Sequence, residues 1–303
     1  MVVNDVNLHS KIVIIKIIVR KFFTILLTSL ILSNCTDPVT ELKENIFSAQ
    51  DNALVENEYN STIEAMTDWV ANTKFYKKGD RIIPGNVQIL FKDSSFLDLD
   101  GVEGTIDFGA KGKTKPYGLL CSDGKYRAGR IHFTLNKPVE LPGSVFQLTI
   151  EKSDSFYSGS GDKMNLLSGI LSVENRDGLS LLIKADKLKL SGGDNKTMEW
   201  NCNRIIRMIK DAGKGVWGDI YSLEGTANGT NRMGEKFEVT IEQPLIKKME
   251  DGCSKTFVKG ILSIKNSTSD KTIRVDYDPN QDEACDNLIE AEINEKKTIF
   301  RVD

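Results

Sequence analysis

The chain has 303 residues, with 40 Lys and Arg side chains against 43 Asp and Glu, so its formal net charge at pH 7 is −3. No basic face of the kind that binds nucleic acid stands out, and we expect no nucleic-acid partner. Only two histidines are present, His9 and His132, which leaves little material for histidine-dependent catalysis.

The N-terminal residues have the pattern of a secretory signal. Arg20 and Lys21 precede an apolar run at residues 22–32, which is too short for the roughly 20 residues that cross a bilayer. The run ends in Leu32-Ser33-Asn34-Cys35, which resembles the lipobox of bacterial lipoproteins. That resemblance implies cleavage before Cys35, acylation of this cysteine, and anchoring in the outer membrane of a cell envelope, on its periplasmic or outer face. The alternatives are an ordinary signal peptide that ends near a cysteine, and a retained transmembrane helix that begins further upstream.

Three segments follow from this interpretation: a signal peptide at 1–34, a lipid-anchored tether at 35–49, and a single β-rich domain at 50–303. The domain opens with a predicted amphipathic helix at 50–71. Its apolar residues recur at spacings of three and four and form one stripe, which predicts a core-facing surface: Val55, Tyr59, Ile63, Met66 and Val70.

Beyond residue 86 the hydrophobic pattern changes to period two, with Val87, Ile89 and Phe91 as its first example. Many short alternating segments separated by Gly, Asn, Asp and Ser predict a mainly β fold, an antiparallel meander in a curved sheet or sandwich. Residues 200–210 are ambiguous between helix and strand, and strand is favoured. Segments 168–175 and 259–266 are nearly identical in pattern, which indicates a repeated β-hairpin unit.

Four cysteines remain once Cys35 is lipidated, and an even number in an oxidising compartment predicts two disulfides. Segments 256–265 and 271–277 are predicted to form a hairpin that brings Cys253 close to Cys285. Cys121 and Cys202 would then pair by elimination. The alternative is a set of buried thiols.

Several segments together resemble a β-rich family of uncharacterised lipoproteins from Bacteroidetes-type bacteria. The similar segments run through most of the mature chain, at residues 50–56, 106–109, 123–129, 219–229, 244–245 and 275–287. The resemblance implies an envelope-anchored, mainly β protein, and it implies no reaction.

One segment has the spacing of metal ligands. Asp278, Asn280 and Asp282 repeat the D-x-N-x-D pattern with which a calcium loop begins. The remaining positions of an EF-hand loop do not follow, and the alternative is a solvated acidic turn. Calcium is therefore the one cofactor that the sequence suggests.

No catalytic constellation is predicted. Residues 213–218 spell G-x-G-x-x-G, but a strand is predicted directly after them, so a glycine-rich hairpin loop is favoured over a dinucleotide site. His132 alternates with Ile131 and Phe133 and is predicted to lie on a strand surface.

The sequence thus predicts a non-enzymatic, lipid-anchored envelope protein with a binding or structural role and a glycan or protein ligand. Loop aromatics such as Tyr157, Trp217 and Tyr221 are candidate contacts, although core packing explains most aromatic residues. The alternatives are a carrier of hydrophobic molecules in a curved sheet, and a glycan hydrolase that would need two nearby carboxylates.

Overall fold

One helix and seventeen β-strands make up the part of the chain that the structure describes. The structure is a computed structural model, and it describes residues 38–71, 81–83, 87–94, 96, 100–121, 124–193, 196–212, 218–250, 253, 257–267, 271–286 and 288–301. Residues 42–303 form the main compact unit, and residues 1–41 form a separate one, of which only the helical residues 38–41 are described.

The elements, in chain order, are helix α1 (Pro38–Ala71) and strands β1 (Arg81–Ile83), β2 (Val87–Asp93), β3 (Val102–Asp107), β4 (Leu119–Leu120), β5 (Tyr126–Ala128), β6 (Arg130–Leu135), β7 (Ser144–Ile150), β8 (Phe156–Gly159), β9 (Met164–Asn175), β10 (Ser180–Ser191), β11 (Thr197–Lys210), β12 (Ile220–Thr230), β13 (Lys236–Lys248), β14 (Lys259–Asn266), β15 (Lys271–Asp276), β16 (Leu288–Ile293) and β17 (Lys296–Arg301). A 3₁₀ turn, Lys152–Asp154, connects β7 and β8.

All strands belong to one antiparallel sheet, as the alternating pattern predicts. From β9 to β17 each strand pairs with the next along the chain, which is a meander. Before β9 the order is β1–β2–β3–β6–β7–β9, and the short strands β4, β5 and β8 extend the free half of β9. The predicted mainly β fold with one N-terminal helix is confirmed, and the sheet is open and curved.

The register shows why the period-two pattern produces this sheet. One row of residues that face each other across successive strands is fully buried and apolar: Phe133, Leu148, Leu171, Ala185, Cys202, Ala227, Val239, Ile264 and Ile273. The next row, offset by one residue, is polar and at least partly exposed: Thr134, Gln147, Ser172, Lys184, Asn203, Thr226, Thr240, Ser263 and Arg274. Because side chains alternate between faces, one row lines the inner face and the other faces solvent.

Glycines at matching places explain the repeat between segments 168–175 and 259–266. Gly169 and Gly260 have φ of +124° and +113°, values that residues with a Cβ rarely adopt. A Cβ on Gly169 would lie 2.6 Å from the Lys187 carbonyl oxygen, and one on Gly260 would lie 2.3 Å from that of Pro244. Each glycine faces an irregularity in the neighbouring strand, and such glycine kinks are a usual way to curve a sheet.

Helix α1 packs on the inner face of the sheet. Val55, Tyr59, Ile63 and Met66 of the predicted stripe are buried, and the side chain of Val70 lies outside the described residues. The Tyr59 hydroxyl reaches the carbonyl oxygens of Ser168 and Lys189, at 3.0 and 2.9 Å. It therefore hydrogen-bonds to the sheet where β9 and β10 change register.

The helix begins at Pro38, so the predicted start at Gln50 is wrong, and residues 38–49 of the predicted tether are helical. Val39, Leu42 and Ile46 recur at the same spacings of three and four residues, and this spacing is the local signal of the earlier start. Residues 200–210 belong to β11, as the favoured interpretation predicts, and Trp200, Cys202 and Arg204 are buried on one face.

Candidate ligand-binding cleft

The loop at residues 108–118, between β3 and β4, carries three lysines at alternate positions, Lys111, Lys113 and Lys115. The Gly112 N–H donates to the Tyr117 carbonyl oxygen at 2.8 Å, which closes the loop on itself. The Tyr117 N–H donates to the Gly161 carbonyl oxygen at 3.2 Å. The loop is thereby attached to the β8–β9 turn, which holds its lysines beside that turn.

Two tyrosine rings hold the Lys111 ammonium group. Its Nζ lies 4.2 Å from the centroid of the Tyr157 ring and 5.4 Å from that of the Tyr117 ring. Cation–π attraction at such distances restricts a side chain that would otherwise sample many rotamers. Lys111 thus presents a positioned positive charge.

This charge lines a cleft of about 880 Å³ that is open to solvent. The residues around it come from four separate parts of the chain: Lys111, Gly112, Tyr117, Asp162, Lys163, Met164, Asn165, Gly193 and Arg232. Three of them are basic and one is acidic. Asp162 is itself paired with Lys115, whose Nζ lies 3.5 Å from its carboxylate. The cleft is therefore locally positive on a chain with more acidic than basic residues.

Arg232 is anchored from behind by the helix. Its backbone N–H and its Nε each donate to the Asp51 carboxylate at 2.6 Å, and its Nη2 also contacts Asp51. Asp51 is only 1% exposed. The guanidinium carbon also lies 5.9 Å from the ring centroid of Phe47. Because a buried carboxylate fixes this arginine, its position at the edge of the cleft is set by the fold.

Two further ion pairs join the helix to the sheet, and each has one buried and one partly exposed partner. The Glu58 carboxylate accepts a hydrogen bond from the Ser158 hydroxyl at 2.8 Å and lies 3.2 Å from Lys125 Nζ. The Glu56 carboxylate lies 3.5 Å from Arg204 Nε, outside hydrogen-bonding geometry. These acids are matched by bases across the interface, as buried charges require. We therefore interpret both ion pairs as contacts that stabilise the fold.

The Glu56–Arg204 pair affects two neighbouring groups. Burial, reinforced by the negative charge of Glu56, raises the pKa of the Cys202 thiol to about 12. The same two causes raise the pKa of Tyr277 to about 12. Both groups are therefore neutral at physiological pH, and Cys202 lacks the thiolate that nucleophilic chemistry needs.

His132 lies half-exposed in β6, which confirms the prediction of a strand-surface residue. Its Nδ1 is 2.9 Å from the Thr105 hydroxyl, and its Nε2 is 3.1 Å from the Asp154 carboxylate. A hydroxyl, an imidazole and a carboxylate in sequence resemble the order of a nucleophile site. Thr105 and His132 are, however, direct register partners on the solvent face, and neither lines the cleft around Lys111. We interpret them as a cross-strand polar network.

The structure joins Cys253 to Cys285, with their Cα atoms 4.8 Å apart. The hairpin prediction behind this pair is also confirmed, since β14 and β15 are antiparallel neighbours. The predicted Cys121–Cys202 disulfide is wrong, because both residues remain thiols. Cys121 follows the short strand β4, whereas Cys202 lies within β11 between Ala185 and Ala227.

The calcium candidate at residues 278–282 forms a self-bonded loop. The Asp278 carboxylate accepts the N–H groups of Asp282 and Glu283, at 3.0 and 3.1 Å. The Asp282 carboxylate accepts the N–H of Ala284 at 3.0 Å. No group of three or more metal-capable side chains converges within the described part of the chain. These bonds account for the spacing of the aspartates, and a calcium titration of thermal stability remains the test of metal binding.

Several predictions lie outside the described residues, namely the signal peptide, the lipid site Cys35, and the glycine-rich segment up to Trp217. Gly218, which follows that segment, has φ +88° and leads directly into β12. Among the described helices none is long and apolar enough to cross a membrane. Of the residues around the main cleft, only Tyr157 is predicted from the sequence as a ligand contact. The alternating lysines at 111–115 are the one local signal that could have indicated the site.

No protein-family model, curated protein or solved structure matches this chain.

Proposed function

We propose that this chain is a non-enzymatic, lipid-anchored protein of the cell envelope that binds a ligand carrying an anionic group. The observation that carries the binding role is the cleft, where Lys111, Lys163 and Arg232 converge on an otherwise acidic chain. Clustered, positioned cations attract and orient anions, and they do so best where they are already held in place.

The anchoring part of this proposal rests on the sequence of residues 20–35. Its test is expression of the full chain in a Gram-negative host, with mass spectrometry of the N-terminal peptide. We expect a diacylglyceryl-modified Cys35 in the membrane fraction, and release of the Cys35→Ser variant from it. An unmodified cysteine inside an intact N-terminal segment would contradict the anchor while leaving the binding role untouched.

The binding part is tested with a generic polyanion. We expect immobilised polyacrylate, a polyanion without sugar rings, to retain the purified residues 36–303, and uncharged polyacrylamide to retain none. The double variant Lys111→Gln/Lys163→Gln should weaken the binding at least about tenfold, since each charge-assisted bond contributes roughly 1.5–3 kcal/mol. Raising NaCl from 50 to 500 mM should weaken wild-type binding as well.

Lys296→Gln is the matched control. This lysine is exposed in β17, in a different part of the sheet, and its replacement removes the same charge. Equal binding by wild type, the double variant and this control would contradict the assignment of the cleft.

The two alternatives from the sequence have weaker support. A carrier of hydrophobic molecules needs space between helix and sheet, but Val55, Tyr59, Ile63 and Met66 fill that interface. A glycan hydrolase needs two available carboxylates. A second cleft of about 350 Å³ contains Asp107 and Asp154, which are bonded to Arg130 and His132, respectively, at 2.8 and 3.1 Å.

A further inference from the structure

The geometry of the main cleft points to the chemical class of its ligand: we propose that it binds an acidic saccharide, a sugar chain bearing carboxylate or sulfate groups. This inference rests on the proposed binding function and makes it more specific.

The size of the cleft is the first support. A volume of about 880 Å³ is within the roughly 300–1,000 Å³ of pockets that take extended organic ligands. A single inorganic anion would leave most of that space as water. The cleft is also open to solvent, so that a chain longer than the cleft can continue beyond it.

The polarity of the lining is the second support. Met164 is the only aliphatic side chain among the lining residues and is itself buried, and the one aromatic ring, that of Tyr117, faces Lys111. A lipid tail or an apolar peptide side chain would therefore have only these two side chains to pack against. A ligand covered with hydroxyl groups keeps its hydrogen bonds in such an environment.

The mixture of donors and acceptors is the third support. Lysine and arginine only donate hydrogen bonds, which is sufficient for a phosphate or sulfate ion. The lining also offers the Asp162 carboxylate and the Asn165 amide, and these groups can accept bonds from hydroxyls. Asp162 would repel a dense polyphosphate, but it suits a sugar that alternates hydroxyl and acidic groups.

Lys111 gives the site its selectivity for the acidic group. Tyr157 and Tyr117 position its ammonium ion, and Lys163 supplies a second cation at the same cleft. A carboxylate or sulfate on the ligand would bind between these cations, while the neighbouring ring hydroxyls would contact Asp162 and Asn165.

Calorimetry at 50 mM NaCl with four probes tests the inference. The probes are an oligogalacturonate, a sulfated oligosaccharide, a neutral oligosaccharide of equal length and inorganic phosphate, with vesicles of anionic phospholipid in a separate sedimentation assay. We expect at least one acidic oligosaccharide to bind at least about tenfold more tightly than the neutral one and than phosphate. Asp162→Asn should weaken this binding, and it should leave retention on polyacrylate unchanged or stronger.

The outcomes separate the inference from the proposed function. Retention on polyacrylate that depends on Lys111, without binding to either acidic oligosaccharide, would overturn the saccharide class and leave an anion-binding cleft. Stronger binding to the vesicles than to every saccharide would assign the cleft to a lipid headgroup and also overturn the inference. If polyacrylate does not retain the protein and no probe binds, both proposals fail. A melting temperature equal to that of the wild type would show that each variant is folded.

Discussion

Two regions of this protein use the same kinds of charged side chain for different ends. Beside helix α1, buried acids are each paired with a base, as Asp51 is with Arg232 and Glu58 with Lys125. At the cleft the basic side chains outnumber the acids and face solvent. Pairing and burial make a charge part of the fold, whereas exposure and imbalance leave it able to bind a ligand. Arg232 belongs to both regions, because it is fixed by the helix and lines the cleft.

The first and largest test compares two aspartates, each in an ion pair. Asp51→Ala removes a buried carboxylate that accepts bonds from the backbone and guanidinium of Arg232, and we expect a loss of about 3 kcal/mol in the free energy of unfolding. Asp162→Ala removes an exposed carboxylate near Lys115, and we expect a change below about 0.5 kcal/mol. Urea denaturation followed by circular dichroism measures both.

Similar losses for the two aspartate variants would show that burial does not separate the two regions. The double variant Asp51→Asn/Arg232→Gln closes a thermodynamic cycle on the pair, together with its two single variants. A coupling energy near zero would show that the cost of Asp51→Ala comes from packing rather than from the ion pair.

The second test compares two tyrosines. Tyr59→Phe deletes a buried hydroxyl that bonds to two carbonyl oxygens of the sheet, and we expect a loss of about 1–2 kcal/mol in unfolding free energy. Tyr117→Phe keeps the ring that faces Lys111, so stability should change by less than about 0.5 kcal/mol. A Tyr59→Phe protein as stable as wild type would mean that this hydroxyl contributes nothing to the packing of helix α1 on the sheet.

The sequence alone predicts the sheet, because the pattern that indicates each strand is local. The alternation of apolar and polar residues around Phe133, Cys202 and Ile264 predicts directly which side chains face the core. Gly-containing turns separate the strands. The helical stripe from Val55 to Met66 is equally local, and each of its members is buried. The start of the helix is missed because the stripe is counted only from Val55, although Val39, Leu42 and Ile46 have the same spacing nearer to Pro38.

The cleft is not accessible to the same reasoning. Lys111, Lys163 and Arg232 are far apart in the chain and meet only because β3, β8, β9 and the β12–β13 turn are brought together by the fold. Likewise, nothing local to Arg127 predicts that it is fully buried, with its Nη2 3.3 Å from the Ser61 carbonyl oxygen. The Cys121–Cys202 disulfide is predicted wrongly because a count of cysteines contains no information on how far apart they lie in the fold.

The third test concerns alkaline pH and the buried region alone. Burial beside Glu56 raises the pKa of Cys202 and Tyr277 from ordinary values of 9.0 and 10.0 to about 12. The folded state therefore keeps protons that the unfolded state loses. Its stability should be fully present below about pH 9 and fall as pH approaches 12, by up to roughly 1.4 kcal/mol per pH unit for each group.

Urea denaturation at pH 8, 9, 10 and 11 measures this decline, and Tyr277→Phe should reduce its slope above pH 10. An unchanged slope would remove Tyr277 from the explanation. Native protein at pH 8 should also react slowly with a thiol reagent at Cys202, and rapidly once unfolded in urea.

The last and smallest expected effect comes from an exposed ion pair outside both regions. Lys259 Nζ lies 2.8 Å from the Glu283 carboxylate, and this hydrogen bond lowers the pKa of Glu283 below its ordinary 4.5. A lowered acid pKa stabilises the folded state above pH 4.5, and this contribution is lost as the pH falls through the folded-state value. Because solvent and salt screen exposed charges, Lys259→Gln should shift the melting temperature by less than about 1 °C at pH 7. A shift as large as that of Asp51→Ala would mean that an ion pair can stabilise this protein without burial, and the distinction between its two charged regions would then need another cause.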